Sequence, residues 1–312
     1  MRLLVTGASG FVGRRLVAAA RARWPQAELT ALGGPGEADG LDVTDAPAVR
    51  AAVGRARPTH VIHLAAIAAV VDAGRDPQSA FAVNLGGALN LVEALRAEAA
   101  EAQLLHVSSA EAYGRSLREA EGAPVDERAL LQPSNAYAAS KAGADLLVQA
   151  AAAQGLAAVV ARPFNHIGAG QTEAFVAPAF AAQIARAEAG LQPPVIEVGG
   201  LEDARDFLAV DDVVDAYLRL LDMGSSAGAP EVFNVASGVP LAIGELLARL
   251  TRLSAVALEV RVDPSRLRRD PPAAYVGDAS RLRRATGWAP RGDMDAVLRE
   301  VLDEQRARVR AS

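Results

Sequence analysis

The chain contains no cysteine, and that absence removes disulfide bridges, thiolate metal sites and a cysteine nucleophile together. Histidine is scarce, with four among 312 residues. His60 and His63 lie three apart in one apolar run, so on a strand their side chains point to opposite faces and do not chelate one metal. No metal site is expected. Positive charge is not in excess either: 32 Lys plus Arg stand against 37 Asp plus Glu, a net charge of −5, which argues against nucleic acid as a partner. No apolar stretch approaches the length of a bilayer span. The apolar run that begins at Leu3 meets Gly7 almost at once, leaving no room for the apolar part of a signal peptide. A cytoplasmic location without membrane attachment is therefore the expectation. Internal repeats and low-complexity linkers are missing too.

What remains is an ordinary globular composition, 51% hydrophobic and 22% charged, long enough for one large core or two modest ones. Short apolar runs alternate with longer Ala-rich segments of helical period. The strand candidates are Leu3 to Val5, Leu29 to Leu32, His60 to Ala65, Leu104 to Val107 and Ala157 to Ala161. Helices are predicted over Phe11 to Arg23, Ala46 to Arg55, Asn84 to Ala100 and Ala136 to Ala153. This alternation predicts an α/β fold, a doubly wound parallel sheet of Rossmann type. Beyond Asn165 the rhythm loosens, and a smaller α/β region is expected. Its helices fall near Asp212 to Leu221, Leu241 to Leu253 and Met294 to Arg308, with a strand at Leu258 to Val262. The expected division gives residues 1–165 to a dinucleotide-binding domain, to which 205–236 return, and residues 166–204 and 237–312 to a substrate-binding region.

Gly7-Ala8-Ser9-Gly10-Phe11-Val12-Gly13 follows the first strand and opens the first helix. In that setting Gly7 permits a tight turn, Gly10 lets backbone approach a pyrophosphate, and Gly13 lets helix and sheet pack closely. The end of the second strand reads Ala31-Leu32-Gly33-Gly34, without the acid that would hold an adenosine ribose 2′-hydroxyl. Arg14 and Arg15 could instead face a 2′-phosphate, so the expected cofactor is NADP or NAD, leaning towards NADP. An exposed helix arginine is the alternative for either. Asp42 is a candidate for the adenine amine or a turn residue.

Tyr137 and Lys141 are four apart in Asn135-Ala136-Tyr137-Ala138-Ala139-Ser140-Lys141, on one face of a helix. A nearby ammonium favours the phenolate, so the pair predicts a phenol shifted down towards neutrality. Ser108 and Ser109 follow the fourth strand, at a carboxyl end where open parallel sheets bind ligands, and a hydroxyl there can hydrogen-bond a carbonyl oxygen. A helix cap or turn is the alternative for Ser109.

Together with Val107-Ser108-Ser109-Ala110-Glu111-Ala112-Tyr113-Gly114, these motifs make the whole chain resemble an extended short-chain dehydrogenase/reductase. Arg162-Pro163-Phe164-Asn165-His166-Ile167-Gly168, Arg205-Asp206-Phe207, and Gly170-Gln171 followed by Phe175-Val176 narrow the resemblance. They point to the nucleotide-sugar enzymes, and among them to those that reduce GDP-4-keto-6-deoxy-D-mannose. The resemblance implies NAD(P)H-dependent reduction of the C4 keto group, giving GDP-D-rhamnose. Tyr137 would be the proton donor, Ser109 would bind the C4 oxygen, and Lys141 would also bind the nicotinamide ribose. It implies cofactor contacts from Gly7, Ser9, Gly10, Phe11, Val12, Gly13, Arg14, Asp42, Val43, Leu64, Ala65, Ala66, Asn84, Tyr137, Lys141 and Arg162. For the GDP-linked sugar it implies Ser109, Asn165, Val176, Arg205, Arg268 and Arg269, the arginines neutralising the diphosphate.

Similar enzymes pair through two long helices, here Asn84 to Ala100 and Ala136 to Ala153, so a homodimer is expected. Two positions depart from the family pattern, Gly200 where Asn is expected and Asp211 where an Arg is usual. Glu111 keeps an alternative open, because epimerases and dehydratases of this fold use an acid at that place to remove a C5 proton. A non-catalytic NAD(P)-binding regulator is a more distant alternative, against which stand Ser109, Tyr137 and Lys141 together.

Overall fold

A computed structural model of the chain describes residues 1–225, 228–267 and 273–311. Twelve strands are found among the described residues: β1 (Arg2–Thr6), β2 (Glu28–Leu32), β3 (His60–His63), β4 (Gln103–Val107), β5 (Ala158–Pro163), β6 (Asn165–Ile167), β7 (Val195–Val198), β8 (Ala204–Ala209), β9 (Glu231–Val235), β10 (Pro240–Ala242), β11 (Glu259–Val262) and β12 (Ala274–Tyr275). Six of them form one parallel sheet in the order β2-β1-β3-β4-β5-β9.

The strands of this sheet are apolar at successive positions because both faces are covered. Leu3 and Val5 of β1 pack with the helices Phe11–Arg23 and Val210–Met223 on one face, while Leu4 enters the core on the other. Val61 and Ile62 divide in the same way, as do Leu104 and Leu105. The second face is closed by the helices Ala46–Ala56, Gly87–Glu98 and Ala136–Ala153. Strand order reverses between β1 and β3, the place in an open α/β sheet where a crevice forms beyond the carboxyl ends.

A separate core holds the rest together. Phe180 and Ile184 of Val176–Glu188, Leu246 and Leu250 of Ile243–Thr251, and Leu298 and Leu302 of Met294–Ala311 meet Ile167 and Phe207 there. Here β8 pairs with β6, β10 and β12, and β11 pairs with β7. The chain returns to the large sheet through the helix Val210–Met223 and β9, while β8 itself stays in the second sheet.

Two predicted helices are divided. In place of one helix from Asn84, the chain forms Pro77–Phe81, a wide π-helical turn at Ala82–Gly86, and Gly87–Glu98. The widened turn accommodates the Asn84 amide, which accepts from Ile67 N at 2.8 Å and donates to Ser140 Oγ at 2.9 Å. The segment read as a helix from Leu241 begins as β10, because Leu241 pairs with Arg205 of β8, and the helix starts at Ile243.

Candidate active site

One cleft of about 1210 Å³ runs over the carboxyl ends of β1, β3, β4 and β5 and on between the two cores. Its near wall is the turn after β1. Gly7 sits at φ 72°, and a Cβ there would stand 2.7 Å from Ala65 N. A Cβ on Gly13 would run into the Gly7 carbonyl oxygen and the Ala8 backbone, so helix and strand meet this closely only through glycine. Gly10 caps the helix Phe11–Arg23 with no side-chain hydrogen bond, which leaves the first-turn N–H groups open to the cleft. Gly7, Gly10, Phe11, Val12 and Gly13 all line it, as do Leu64 and Ala66 after β3. This cradle, with backbone donors and no side chain in the way, fits a dinucleotide pyrophosphate.

Next along the cleft come Ser109, Glu111, Tyr137 and Lys141. The Ser109 side chain accepts from Glu111 N at 3.2 Å, opening the short turn Ala110–Tyr113, and it also hydrogen-bonds Tyr137. Asn135 caps the helix Ala136–Ala153 by accepting from Ala138 N at 2.8 Å, so the helix begins one residue before Tyr137. Lys141 is 5% exposed and donates to the Val107 carbonyl at 2.5 Å. Burial brings its ammonium down to about 8, opposed by the charge of Asp145.

The phenol does not behave as the Tyr-Lys spacing predicts. Burial pushes Tyr137 up to about 12, with the Ser109 hydrogen bond lowering it in part and Glu111 raising it further. Desolvation of a phenolate dominates here, and the Lys141 ammonium is engaged with the Val107 carbonyl. Beside Lys141, His63 and His106 stack at 5.5 Å in the sheet, and His63 Nδ1 meets Thr6 Oγ1 at 2.7 Å. Burial and the Lys141 charge bring His63 down to about 3 and His106 down as well, so both are neutral at pH 7 and add no second cation.

The far end of the cleft is lined by Asn165, Val176 and Arg205. Arg205 is 8% exposed, stacks its guanidinium over Tyr275 at 4.1 Å, and donates to the carbonyls of Ala204 (2.8 Å) and Ala273 (2.9 Å). Its neighbour Asp206 points the other way and accepts from Ser237 N, Gly238 N and Gly277 N, tying the strand to two loops. Arg268 and Arg269 lie outside the described residues.

Several residues expected at the cofactor are used elsewhere. Arg162 is 3% exposed, and its guanidinium is forked onto Asp145 at 2.8 and 2.9 Å, with Tyr113 Oη at 3.0 Å. Its work is inside the core rather than on the cleft wall. Asn84 likewise ties the segment after β3 to the helix that carries Tyr137. Val43 is buried against Gly87, and Asp42 accepts from Thr44 N at 2.9 Å and Thr44 Oγ1 at 2.7 Å in a turn. Ala65 meets Gly7 through its backbone. Arg14 donates to the Ser9 carbonyl, while Arg15 binds Asp211 at 3.0 Å and the Ala169 carbonyl at 3.0 Å. The acid at Asp211 is thus explained by Arg15.

Sequence reasoning gave no site role to His166, which lines the cleft and stacks on Phe11 at 6.1 Å, or to Gln171 and Tyr275. His166 and Gln171 stand within the motifs that carry the resemblance, which was the available signal, whereas Tyr275 is brought in by a distant segment; Arg266, in the same arginine run as Arg268 and Arg269, also lines the cleft.

A sequence model described as the NAD dependent epimerase/dehydratase family matches residues 3–236, three quarters of the chain. The chain belongs to the NAD dependent epimerase/dehydratase family. That match takes in the whole large sheet, from β1 to β9. Within the family, the chain is 42% identical to the GDP-6-deoxy-D-mannose reductase of Pseudomonas aeruginosa, over 99% of this chain and 98% of that protein. It is 30% identical to a dTDP-glucose 4,6-dehydratase of Mycobacterium tuberculosis, over 97% of this chain and 92% of the relative. Among solved structures, RMD from Pseudomonas aeruginosa complexed with NADPH superposes with a TM-score of 0.86 and 39% identity, covering 99% of this chain and 100% of the other. The chain is an NAD(P)-dependent enzyme of the extended short-chain dehydrogenase/reductase class. No helix among the described residues is long and apolar enough to cross a membrane.

Proposed function

We propose that the chain reduces the C4 keto group of a GDP-linked 4-keto-6-deoxy sugar, converting GDP-4-keto-6-deoxy-D-mannose to GDP-D-rhamnose at the expense of NADPH or NADH. One observation carries this reading: a single cleft holds the glycine cradle, Ser109, Tyr137, Lys141 and Arg205, in a chain that aligns end to end with a GDP-6-deoxy-D-mannose reductase.

A nicotinamide held with its dinucleotide on the Gly7–Gly13 cradle would supply the hydride for C4. Tyr137 holds the proton for the C4 oxygen, and its high pKa keeps that proton loaded at neutral pH. Ser109, already hydrogen-bonded to Tyr137, orients the same oxygen. Lys141 contributes a positive charge that steadies the phenolate left after proton transfer, and a hydrogen bond to the nicotinamide ribose. Phe11, Phe164 and His166 line the same cleft. Arg205 is the described residue that would face the diphosphate, where a guanidinium stays charged at any working pH.

Glu111 favours a second reading. It lines the cleft close enough to raise Tyr137, where an epimerase or dehydratase would keep its base for the C5 proton. A panel of 4-keto-6-deoxy nucleotide sugars, assayed by loss of NADPH and NADH absorbance, separates the two. Stoichiometric cofactor oxidation with the GDP-linked mannose derivative supports the reductase. Product formation without net oxidation, on tightly retained NAD, supports the second reading. The proposal includes a homodimer in the cytoplasm, its interface on the helices Gly87–Glu98 and Ala136–Ala153, which expose Leu89 and Leu146.

A further inference from the structure

β6 ends at Ile167, and the chain crosses to the helix Val176–Glu188 through a loop that contributes Gln171, Ala174 and Phe175 to the cleft wall. One peptide unit of this loop, between Ala169 and Gly170, is gripped at both ends by opposite charges. Arg15 donates to the Ala169 carbonyl at 3.0 Å, and Gly170 N donates to Glu304 Oε2 at 2.6 Å. The cation meets the negative end of the peptide dipole and the anion its positive end, so both contacts are charge-assisted. Each charge is balanced from outside the loop, Arg15 by Asp211 at 3.0 Å and Glu304 by Arg308 at 2.6 Å. Asp211, Arg15, the peptide, Glu304 and Arg308 thus form one row of alternating sign. Its two arms come from helices of different cores: Arg15 from Phe11–Arg23, which opens with the cradle, and Glu304 from Met294–Ala311 in the second core.

The gripped loop lies on the first turn of the cradle helix. A Cβ on Gly168 would stand 3.4 Å from Phe11 Cζ, and one on Gly170 would stand 3.4 Å from Arg14 Nη2 and 3.7 Å from Phe11 Cδ2. The His166 ring stacks on Phe11, within 3° of parallel. Gln171 is buried and donates from Nε2 to the His166 carbonyl at 3.2 Å, so the residue after the gripped peptide also fixes the strand that carries the stacked ring. Neither Arg15 nor Glu304 lines the cleft; each bears on it through this loop.

We infer that Arg15 and Glu304 are positioning residues for the dinucleotide: by clamping the Ala169–Gly170 peptide they hold the loop against Phe11 and His166 and keep the cradle in the shape that binds. The inference rests on the cradle being a dinucleotide site. It adds a control point on the helix Met294–Ala311, whereas Ser109, Tyr137 and Lys141 stand on other elements.

Dissociation constants for NADH and NADPH are measured by calorimetry on the intact chain, well below the melting temperature of every variant, alongside steady-state kinetics with the GDP-linked 4-keto-6-deoxy sugar. Glu304→Ala removes the acceptor and weakens both dinucleotides by about tenfold, the worth of one charge-assisted hydrogen bond. Glu304→Gln keeps an acceptor oxygen and recovers binding to within about threefold of wild type. KM for the dinucleotide rises with the dissociation constant while kcat stays within about twofold. Arg15→Met behaves as Glu304→Ala does, and the double variant binds no more weakly than the weaker single one, because releasing either end of the peptide frees the loop. Unchanged affinity in Glu304→Ala, or losses that add in the double variant, overturns the inference and leaves the reductase reading intact. A loss in Arg15→Met confined to NADPH does the same, since it would put that guanidinium at a phosphate of the cofactor. Failure of the wild-type chain to bind either dinucleotide overturns both.

Discussion

Tyr137 and Lys141 are both buried, and burial pulls them in opposite directions: the phenol up to about 12, the ammonium down to about 8. Each is driven towards its neutral form. For reduction that arrangement loads the proton on Tyr137 and makes the charge on Lys141 the group that titrates. We expect kcat/KM for ketone reduction to be flat below pH 8 and to fall as pH rises through about 8, measured as a full pH profile. The stability linkage has the opposite sign. The folded pKa of Lys141 lies below its ordinary value of 10.5, so the buried ammonium costs stability below pH 8 and the cost is relieved between about 8 and 10.5. Lys141→Met should therefore raise resistance to urea at pH 7 by up to about 3 kcal/mol while abolishing turnover and weakening cofactor binding. Tyr137→Phe should lower kcat by about two to four orders of magnitude with cofactor affinity nearly unchanged, because only the donated proton is lost. Steady-state kinetics with a parallel NADH titration checks it, and wild-type turnover in Tyr137→Phe would remove the role assigned to the phenol.

At the scale of elements, the helix Ala136–Ala153 is the one on which most depends, since it carries Tyr137 and Lys141 near its start and Asp145 one turn further on. Asp145 is fully buried and grips Arg162 of β5, which joins the helix to the sheet. Arg162→Met leaves that carboxylate uncompensated, and should cost about 3–5 kcal/mol in urea denaturation while leaving the NADH dissociation constant of the folded protein within about twofold. A large loss of affinity with little loss of stability would return Arg162 to the cofactor. The same pair shows what a sequence discloses. The strands from Leu3, His60 and Leu104 were legible because burial on both faces makes them continuously apolar, and the cradle was legible because its three glycines fall within one seven-residue stretch between strand and helix. Tyr137 and Lys141 stood out through helical spacing alone. Arg162 misled, because its partner Asp145 lies 17 residues away on a helix, where an acid reads as solvent-facing. The up-shifted phenol was hidden for a related reason: spacing reports which groups are neighbours, whereas desolvation depends on everything packed above them.

For the whole molecule, that same helix also faces outward. Its Leu146 is 56% exposed, Leu89 of the adjacent helix Gly87–Glu98 is 44% exposed, and the two helices pack side by side. An isolated exposed leucine needs no explanation, but two on adjoining helices make a patch that a second copy would cover about a two-fold axis. Because such an interface is isologous, any charge placed on it is introduced twice. Leu89→Glu combined with Leu146→Glu should therefore convert a dimer to a monomer in sedimentation velocity at micromolar concentration. Leu89→Ala with Leu146→Ala should only weaken association, since about 25 cal/mol is lost per Å² of apolar contact without added repulsion. The dimer would brace the outer face of the helix whose inner face bears Tyr137 and Lys141, so the charged variant should also melt at lower temperature and lose specific activity on dilution. A wild-type chain that sediments as a monomer, or a charged double variant that remains dimeric, would move the interface away from these helices.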